Sequence, residues 1–149
     1  MRDDRHDRTV EGPLSAESAP SAWPRPHGVL VIEADPDLQW RMARALTVEG
    51  HRVVGTGSGE GALALLAEWR VDLVLVDEDL PGMDGLEVVR RINRQQPEVP
   101  VVLISGDDGQ DVQVAARLAG AARCVRKPLR KEVLLQVLEL LSGDELAAE

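Results

Sequence analysis

Five short apolar runs, each followed by a segment of helical periodicity, constrain the fold of this chain more than any other feature. Runs such as DLVLV and PVVLI are apolar at successive positions, which is typical of parallel strands covered by helices on both faces. The predicted strands are 28–33, 51–55, 72–77, 100–104 and 122–125. The predicted helices are 36–48, 59–69, 84–95, 109–119 and 130–141. This alternation predicts a doubly wound α/β domain.

Helix-end signals agree with this pattern. Asp35 precedes Pro36, and an N-cap residue followed by proline at the first helical position is a common helix start. Gly120 follows the fourth predicted helix, where glycine commonly ends a helix in a left-handed conformation. The boundaries of the first and fourth helices are therefore predicted from local chemistry as well as from periodicity.

The chain has 149 residues, which is enough for one ordinary domain. Residues 1–27 are rich in proline, serine and alanine and have no apolar periodicity, so they are expected to form a flexible tail. The domain itself is expected over 28–142, with an acidic C-terminal extension over 143–149.

Composition excludes several classes of function. The net charge of −9 repels nucleic acid and anionic membranes. No apolar run of membrane-spanning length and no leader peptide are present in the sequence, so we expect a cytoplasmic protein. Cys124 is the one cysteine and cannot form an internal disulfide, which fits a reducing compartment.

Polar residues stand at the ends of four predicted strands: Glu33, the run Asp77–Asp79, Ser105 and Lys127. In open parallel sheets the carboxyl ends of the strands form the ligand site. Carboxylates packed closely repel one another unless a cation or a proton relieves them, and Mg²⁺ is the natural complement. With the metal and Lys127 present, the site is suited to a phosphoryl group.

These residue types predict phosphoryl chemistry. Asp77 would attack an activated phosphate and form an acyl phosphate, while the metal and Lys127 neutralise the phosphoryl oxygens and Ser105 donates a hydrogen bond. The chain has 15 Arg and 2 Lys, so a lysine at this strand end favours a chemical role for a compact ammonium. Asp77 could instead form a turn, and Ser105 could simply end a strand. Asp35, Asp79 and Asp84 are expected mainly in capping and loop roles.

Four segments together resemble the receiver domain of two-component response regulators over residues 28–141: VLVIEADPD, DLVLVDEDLPGMDGLEVVRRI, VPVVLISGDD and AGAARCVRKPL. The resemblance implies a flavodoxin-like (βα)5 fold with strand order 2-1-3-4-5. It makes Asp77 the phosphoacceptor, Ser105 the switch hydroxyl and Lys127 the active-site lysine. Mg²⁺ would bind Glu33, Asp77 and the backbone carbonyl of Asp79, and the phosphoryl donor would be a histidine kinase or histidine phosphotransfer protein.

The sequence departs from that family pattern in three places. Ala34 occupies the second position of an acidic pair, which in the family binds Mg²⁺ directly, so we expect metal affinity to be weakened roughly ten- to hundredfold. Cys124 stands where family members often carry an aromatic residue, so coupling through a swinging ring is excluded. The sequence ends soon after the fifth predicted helix, so output is expected through a protein contact and not through a separate output domain.

A partner surface is predicted on the first helix. In receivers generally, this helix and the loop after strand 5 meet the phosphodonor, so Leu38, Trp40 and Arg41 are candidate contacts. Packing of Trp40 against the fifth helix is the alternative. Leu135 and Leu140 exceed what one buried stripe of the fifth helix needs, which predicts weak homodimerisation or partner binding there.

Two other functions compete with a non-enzymatic signalling receiver. Ala34 and Cys124 favour the second hypothesis, a pseudo-receiver, which is an interaction module that works without phosphorylation. LVLVDED, VVLIS and Lys127 also resemble motifs of haloacid-dehalogenase-type phosphatases. In those enzymes, however, the aspartate pair follows the first strand, whereas here it follows the third. A flavin carrier is disfavoured because the loop after strand 1 offers acids where a phosphate needs donors.

Overall fold

The computed structural model describes residues 27–107 and 109–147. All of the predicted tail except His27 lies outside these residues, as do 148 and 149 of the predicted extension. No helix in the described ranges is long and apolar enough to cross a membrane.

Five parallel strands alternate with five helices. The strands are β1 Gly28–Ile32, β2 Arg52–Thr56, β3 Leu73–Asp77, β4 Val101–Ser105 and β5 Arg123–Arg126. The helices are α1 Pro36–Val48, α2 Gly59–Leu66, α3 Gly85–Gln95, α4 Gln110–Ala119 and α5 Lys131–Ala147. The sheet order is β2-β1-β3-β4-β5, so the predicted flavodoxin-like topology is confirmed.

Two apolar cores cover the two faces of the sheet. Leu30 and Ile32 of β1 pack on the face covered by α2, α3 and α4. Val29 and Val31 pack on the opposite face, with α1 and α5. Successive residues of the strand therefore face different cores, and this explains why the strand sequences are apolar without alternation.

The predicted caps are confirmed. The Asp35 side chain accepts a hydrogen bond from the backbone N–H of Asp37 at 3.0 Å. Gly120 ends α4 with a φ of 108°, in the left-handed region that favours glycine.

Two helix ends differ from prediction. α2 ends at Leu66 and not at 69, because the chain tightens into a turn in which the backbone N–H of Glu68 donates to Leu65 O at 3.0 Å. The predicted end of α5 at 141 was too early, since the helix continues to Ala147. Gly143 lies within this helix, since one glycine costs a helix only about 1 kcal/mol and no proline follows.

Candidate functional site

Asp77 lies at the centre of the candidate site, as the last residue of β3 between β1 and β4. The residue is only 2% exposed. Lys127 follows β5, and its Nζ lies 3.0 Å from Asp77 Oδ1 and 3.1 Å from Oδ2. The lysine side chain therefore reaches across β4 and holds both oxygens of a buried carboxylate.

The backbone fixes the position of Lys127. Its N–H donates to Ser105 O at 2.8 Å, which ties the segment after β5 to the end of β4. Burial by itself would lower the pKa of Lys127, but the hydrogen bond and the charge of Asp77 outweigh it and raise the pKa above 10.5. The ammonium is therefore fully charged at neutral pH.

Glu33 is the second buried acid, immediately after β1. Its Oε2 accepts from the backbone N–H of Asp35 at 3.0 Å, and its backbone carbonyl accepts from Gln39 Nε2 at 2.9 Å. Burial is the main cause that raises the pKa of Glu33 from 4.5 to about 7; the Asp35 N–H opposes the shift, and the neighbouring Asp77 adds to it. Burial therefore favours the protonated form of this carboxyl well above the usual pKa of a glutamate.

The two acids fit a hard cation. Glu33 Oε1 is buried and has no hydrogen-bond partner among the described residues, so a cation beside Asp77 would give it one. Among the residues that the structure describes, however, no group of three or more His, Cys, Asp and Glu side chains could hold a metal ion. Ala34, next to Glu33, supplies no carboxylate. A bound Mg²⁺ would therefore depend on two side-chain carboxylates, with backbone oxygen and water completing its shell.

The Ser105 hydroxyl ends β4 and is fully buried, but it faces an acid other than Asp77. It donates to Glu78 Oε1 at 2.5 Å and accepts from the backbone N–H of Asp107 at 2.9 Å. The sequence interpretation counted Glu78 among the acids after strand 3 and gave it no role. The β3–β4 register, which pairs Asp77 with Ile104, was the information needed to place Glu78 beside Ser105.

The other acids near the site occupy structural positions. Asp84 caps α3, accepting from the backbone N–H of Glu87 at 3.0 Å, so its predicted local role is confirmed. The backbone N–H of Asp79 donates to Asp77 Oδ1 at 3.3 Å, which brings the Asp79 backbone next to the site.

Two of the three predicted partner residues line one groove, and the third lies beside it. Leu38 and Arg41 line a groove of about 400 Å³ between α1 and the start of α5, together with Leu129. Among the described residues that line this groove, Trp40 is absent. Trp40 is 55% exposed, and the guanidinium of Arg44, which lines the groove, lies 5.6 Å from its ring.

The remaining predicted residues divide between surface and core. Leu135 is exposed on α5, whereas Leu140 packs at the margin of the core beneath that helix, so of the two only Leu135 lies outside the buried stripe. Cys124 is half-buried against the other core, and burial followed by the charge of Glu78 raises the pKa of its thiol.

Comparison with known proteins agrees with this architecture. Residues 29–139 match the response regulator receiver domain family. The transcriptional regulatory protein AfsQ1 of Streptomyces coelicolor is 42% identical over 107 residues, which are 71% of this chain and 47% of that protein. The chain thus spans about half the length of this curated relative.

Solved receiver structures superpose on the same fold. The signal receiver domain of an HD domain-containing protein from Pseudomonas fluorescens has a TM-score of 0.76 at 27% identity, covering 83% of this chain and 99% of that one. A structure described as the BeF3-activated DrrB receiver domain has a TM-score of 0.72 at 25% identity, covering 79% of this chain and 98% of that one. The fold and the buried acid–lysine cluster define a signalling domain of the two-component class. The chain belongs to the response regulator receiver domain family.

Proposed function

We propose that this chain is a receiver that accepts a phosphoryl group on Asp77 from a histidine kinase or histidine phosphotransfer protein and signals by changing its protein contacts. The observation that carries the proposal is the contact of the Lys127 ammonium with both oxygens of the buried Asp77 carboxylate, at 3.0 and 3.1 Å. Such a carboxylate is desolvated, aligned and charge-compensated before a donor arrives.

In the proposed reaction, an Asp77 carboxylate oxygen attacks the phosphorus of a phosphohistidine. The new bond joins that oxygen to phosphorus, the bond from nitrogen to phosphorus breaks, and the electron pair leaves on the imidazole of the donor. Lys127 stays near the phosphoryl oxygens and compensates their charge. Mg²⁺, held by Glu33, Asp77 and the Asp79 backbone carbonyl, would neutralise further phosphoryl charge when bound.

The test is incubation of the protein with Mg²⁺ and acetyl phosphate, followed by mass spectrometry of the intact chain. The expected result is the added mass of one phosphoryl group in the wild type and none in Asp77→Asn. Asp79→Asn is a matched control, since it alters a neighbouring acid whose proposed contact is through its backbone, and it should still be labelled. Equal labelling of wild type and Asp77→Asn, or no labelling of the wild type, would contradict the proposal.

A pseudo-receiver is the second candidate, favoured by the lack of a three-residue metal cluster in the described ranges. Under this alternative, the domain would bind its partner without phosphorylation. Ala34→Asp separates the two functions in the same labelling assay. Strong wild-type labelling that the substitution leaves unchanged excludes the pseudo-receiver, whereas labelling that appears only in Ala34→Asp supports it.

Two features support a protein partner. The charge of −9 disfavours direct contact with nucleic acid or an anionic membrane. The groove between α1 and α5 combines apolar Leu38 and Leu129 with charged Arg41, next to the segment that carries Lys127. We place donor docking at this groove, with the exposed Trp40 and Leu135 available for other contacts, including a weak homodimer.

A further inference from the structure

The Ser105 hydroxyl has one proton and can donate it to one acceptor at a time. In this structure the acceptor is Glu78 Oε1 at 2.5 Å, a short hydrogen bond to a carboxylate. A phosphoryl group on Asp77 would need the same proton. The unphosphorylated protein therefore contains a built-in competitor for the donor that the phosphorylated state requires.

The backbone around this pair is fixed. The oxygen of Ser105 accepts from the Asp107 N–H at 2.9 Å, which leaves rotation of the hydroxyl proton as its main freedom. The N–H of Glu78 donates to Ile104 O at 2.8 Å, and its carbonyl accepts from the N–H of Gly85 at 3.0 Å. A change of partner at Ser105 therefore involves the hydroxyl proton and the Glu78 side chain, and not the strand ends.

Glu78 has room to release the hydroxyl. Its side chain is half-buried, so the carboxylate can reach water when Ser105 turns away. Cys124 of β5 lies near enough for the charge of Glu78 to raise the pKa of its thiol. The Ser105 hydroxyl donates directly to Glu78, whereas the Lys127 ammonium donates to Asp77.

We propose that Glu78 is a positioning residue that holds the Ser105 hydroxyl away from Asp77 and so weakens the binding of a phosphoryl group at the site. This inference rests on the proposed function, because it concerns the same phosphorylation site. On phosphorylation the Ser105 hydroxyl would stop donating to Glu78 Oε1 and would donate to a phosphoryl oxygen instead. The balance between these two acceptors would set how fully the phosphorylated conformation is populated.

The test measures the affinity of beryllofluoride, a phosphoryl mimic, in the presence of Mg²⁺ by fluorine NMR. Glu78→Ala should bind about three- to tenfold more tightly than wild type, since the competing acceptor is gone. Glu78→Gln should fall between them, because its amide oxygen is a neutral and weaker acceptor. The control is Glu98→Ala, which removes an exposed carboxylate before the opposite end of β4 and should leave the affinity unchanged.

A double-mutant cycle separates the hydrogen bond from a simple charge effect. In a Ser105→Ala background, Glu78→Ala should change beryllofluoride affinity less than twofold. An equal gain in beryllofluoride affinity with and without Ser105 would overturn the proposal, because Glu78 would then act through its charge alone. The absence of any gain in the single variant Glu78→Ala would also overturn it. Failure of the proposed function gives a different result. In that case wild type and all variants would bind no beryllofluoride and would not be phosphorylated on Asp77, and the proposed role of Glu78 would be wrong as well.

Discussion

Ala34 follows the buried Glu33 in sequence and carries only a methyl group. Among the ion pairs found in the described residues, Lys127 is the one counter-charge for the two buried acids of the site. Ala34 is exposed, so a longer side chain there meets no packing barrier. We predict that Ala34→Asp raises Mg²⁺ affinity roughly ten- to hundredfold, about 1–3 kcal/mol, by adding one carboxylate ligand. Isothermal titration calorimetry measures the change.

The matched control for this prediction is Ala34→Asn, which has nearly the same shape and no charge. It should gain much less affinity than Ala34→Asp. An equal gain in both variants, or none in either, would show that position 34 does not face the metal.

Lys127 is expected to stabilise the fold as well as the reaction. Its removal leaves Asp77 buried and uncompensated next to Glu33, so Lys127→Met should lower the free energy of unfolding by about 1–2 kcal/mol at pH 7.5 without Mg²⁺. Urea unfolding followed by circular dichroism provides the measurement. Asp77→Asn in the same chain should recover most of the loss, and additive losses in the double variant would contradict the pairing.

At the scale of elements, the turn from β3 into α3 depends on close backbone packing. A Cβ at Gly85 would collide with the carbonyl oxygen of Asp77 and lie 2.7 Å from Glu78 Cα. Because both neighbours are backbone atoms of the site, Gly85→Ala should cost about 1–3 kcal/mol of stability and reduce labelling of Asp77.

Gly106 provides the control for this substitution, since it adjoins Ser105 and a Cβ there meets nothing within 4 Å. Gly106→Ala should change stability by less than about 0.5 kcal/mol. Both variants are compared by urea unfolding, and similar losses at the two glycines would refute the steric explanation.

The elements that the sequence predicts well are those whose signals are local. Strands covered on both faces have continuous apolar runs, and the caps at Asp35 and Gly120 depend on neighbouring residues, so each was predictable. The end of α5 was not, because a single glycine is a weak stop. The meeting of Asp77 and Lys127 followed from their places at strand ends, whereas the bond between Ser105 and Glu78 depends on strand register and rotamers that no local pattern encodes.

At the scale of the whole molecule, two buried titratable groups lie at opposite ends of β1 and β2 and act in opposite directions. His51 is buried immediately before β2, and this burial is the main cause that lowers its pKa from 6.5 to about 4. The nearby His27 lowers the pKa further, and Asp72 opposes the shift. The unfolded chain therefore binds more protons at this group between pH 4 and 6.5. Its contribution to stability is complete above pH 6.5 and is lost as the pH falls towards 4.

The contribution of Glu33 to stability depends on pH in the opposite direction. Its pKa is raised from 4.5 to about 7, so the folded chain binds more protons at this group between those values. Its contribution is complete below pH 4.5 and is lost as the pH rises through 7. Between pH 5 and 7 each group changes the free energy of unfolding by about 2 kcal/mol, with opposite signs.

The two contributions cancel each other between pH 5 and 7. Without Mg²⁺, these two groups should therefore leave the free energy of unfolding of the wild type nearly constant over this range. Glu33→Gln should be about 2 kcal/mol less stable at pH 5 than at pH 7, since His51 then acts alone, and His51→Gln should show the reverse slope. Urea unfolding at pH 5, 6 and 7 gives these slopes whatever the absolute stability of each variant. Parallel profiles in all three proteins would mean that neither group is held in the protonation state that its burial requires.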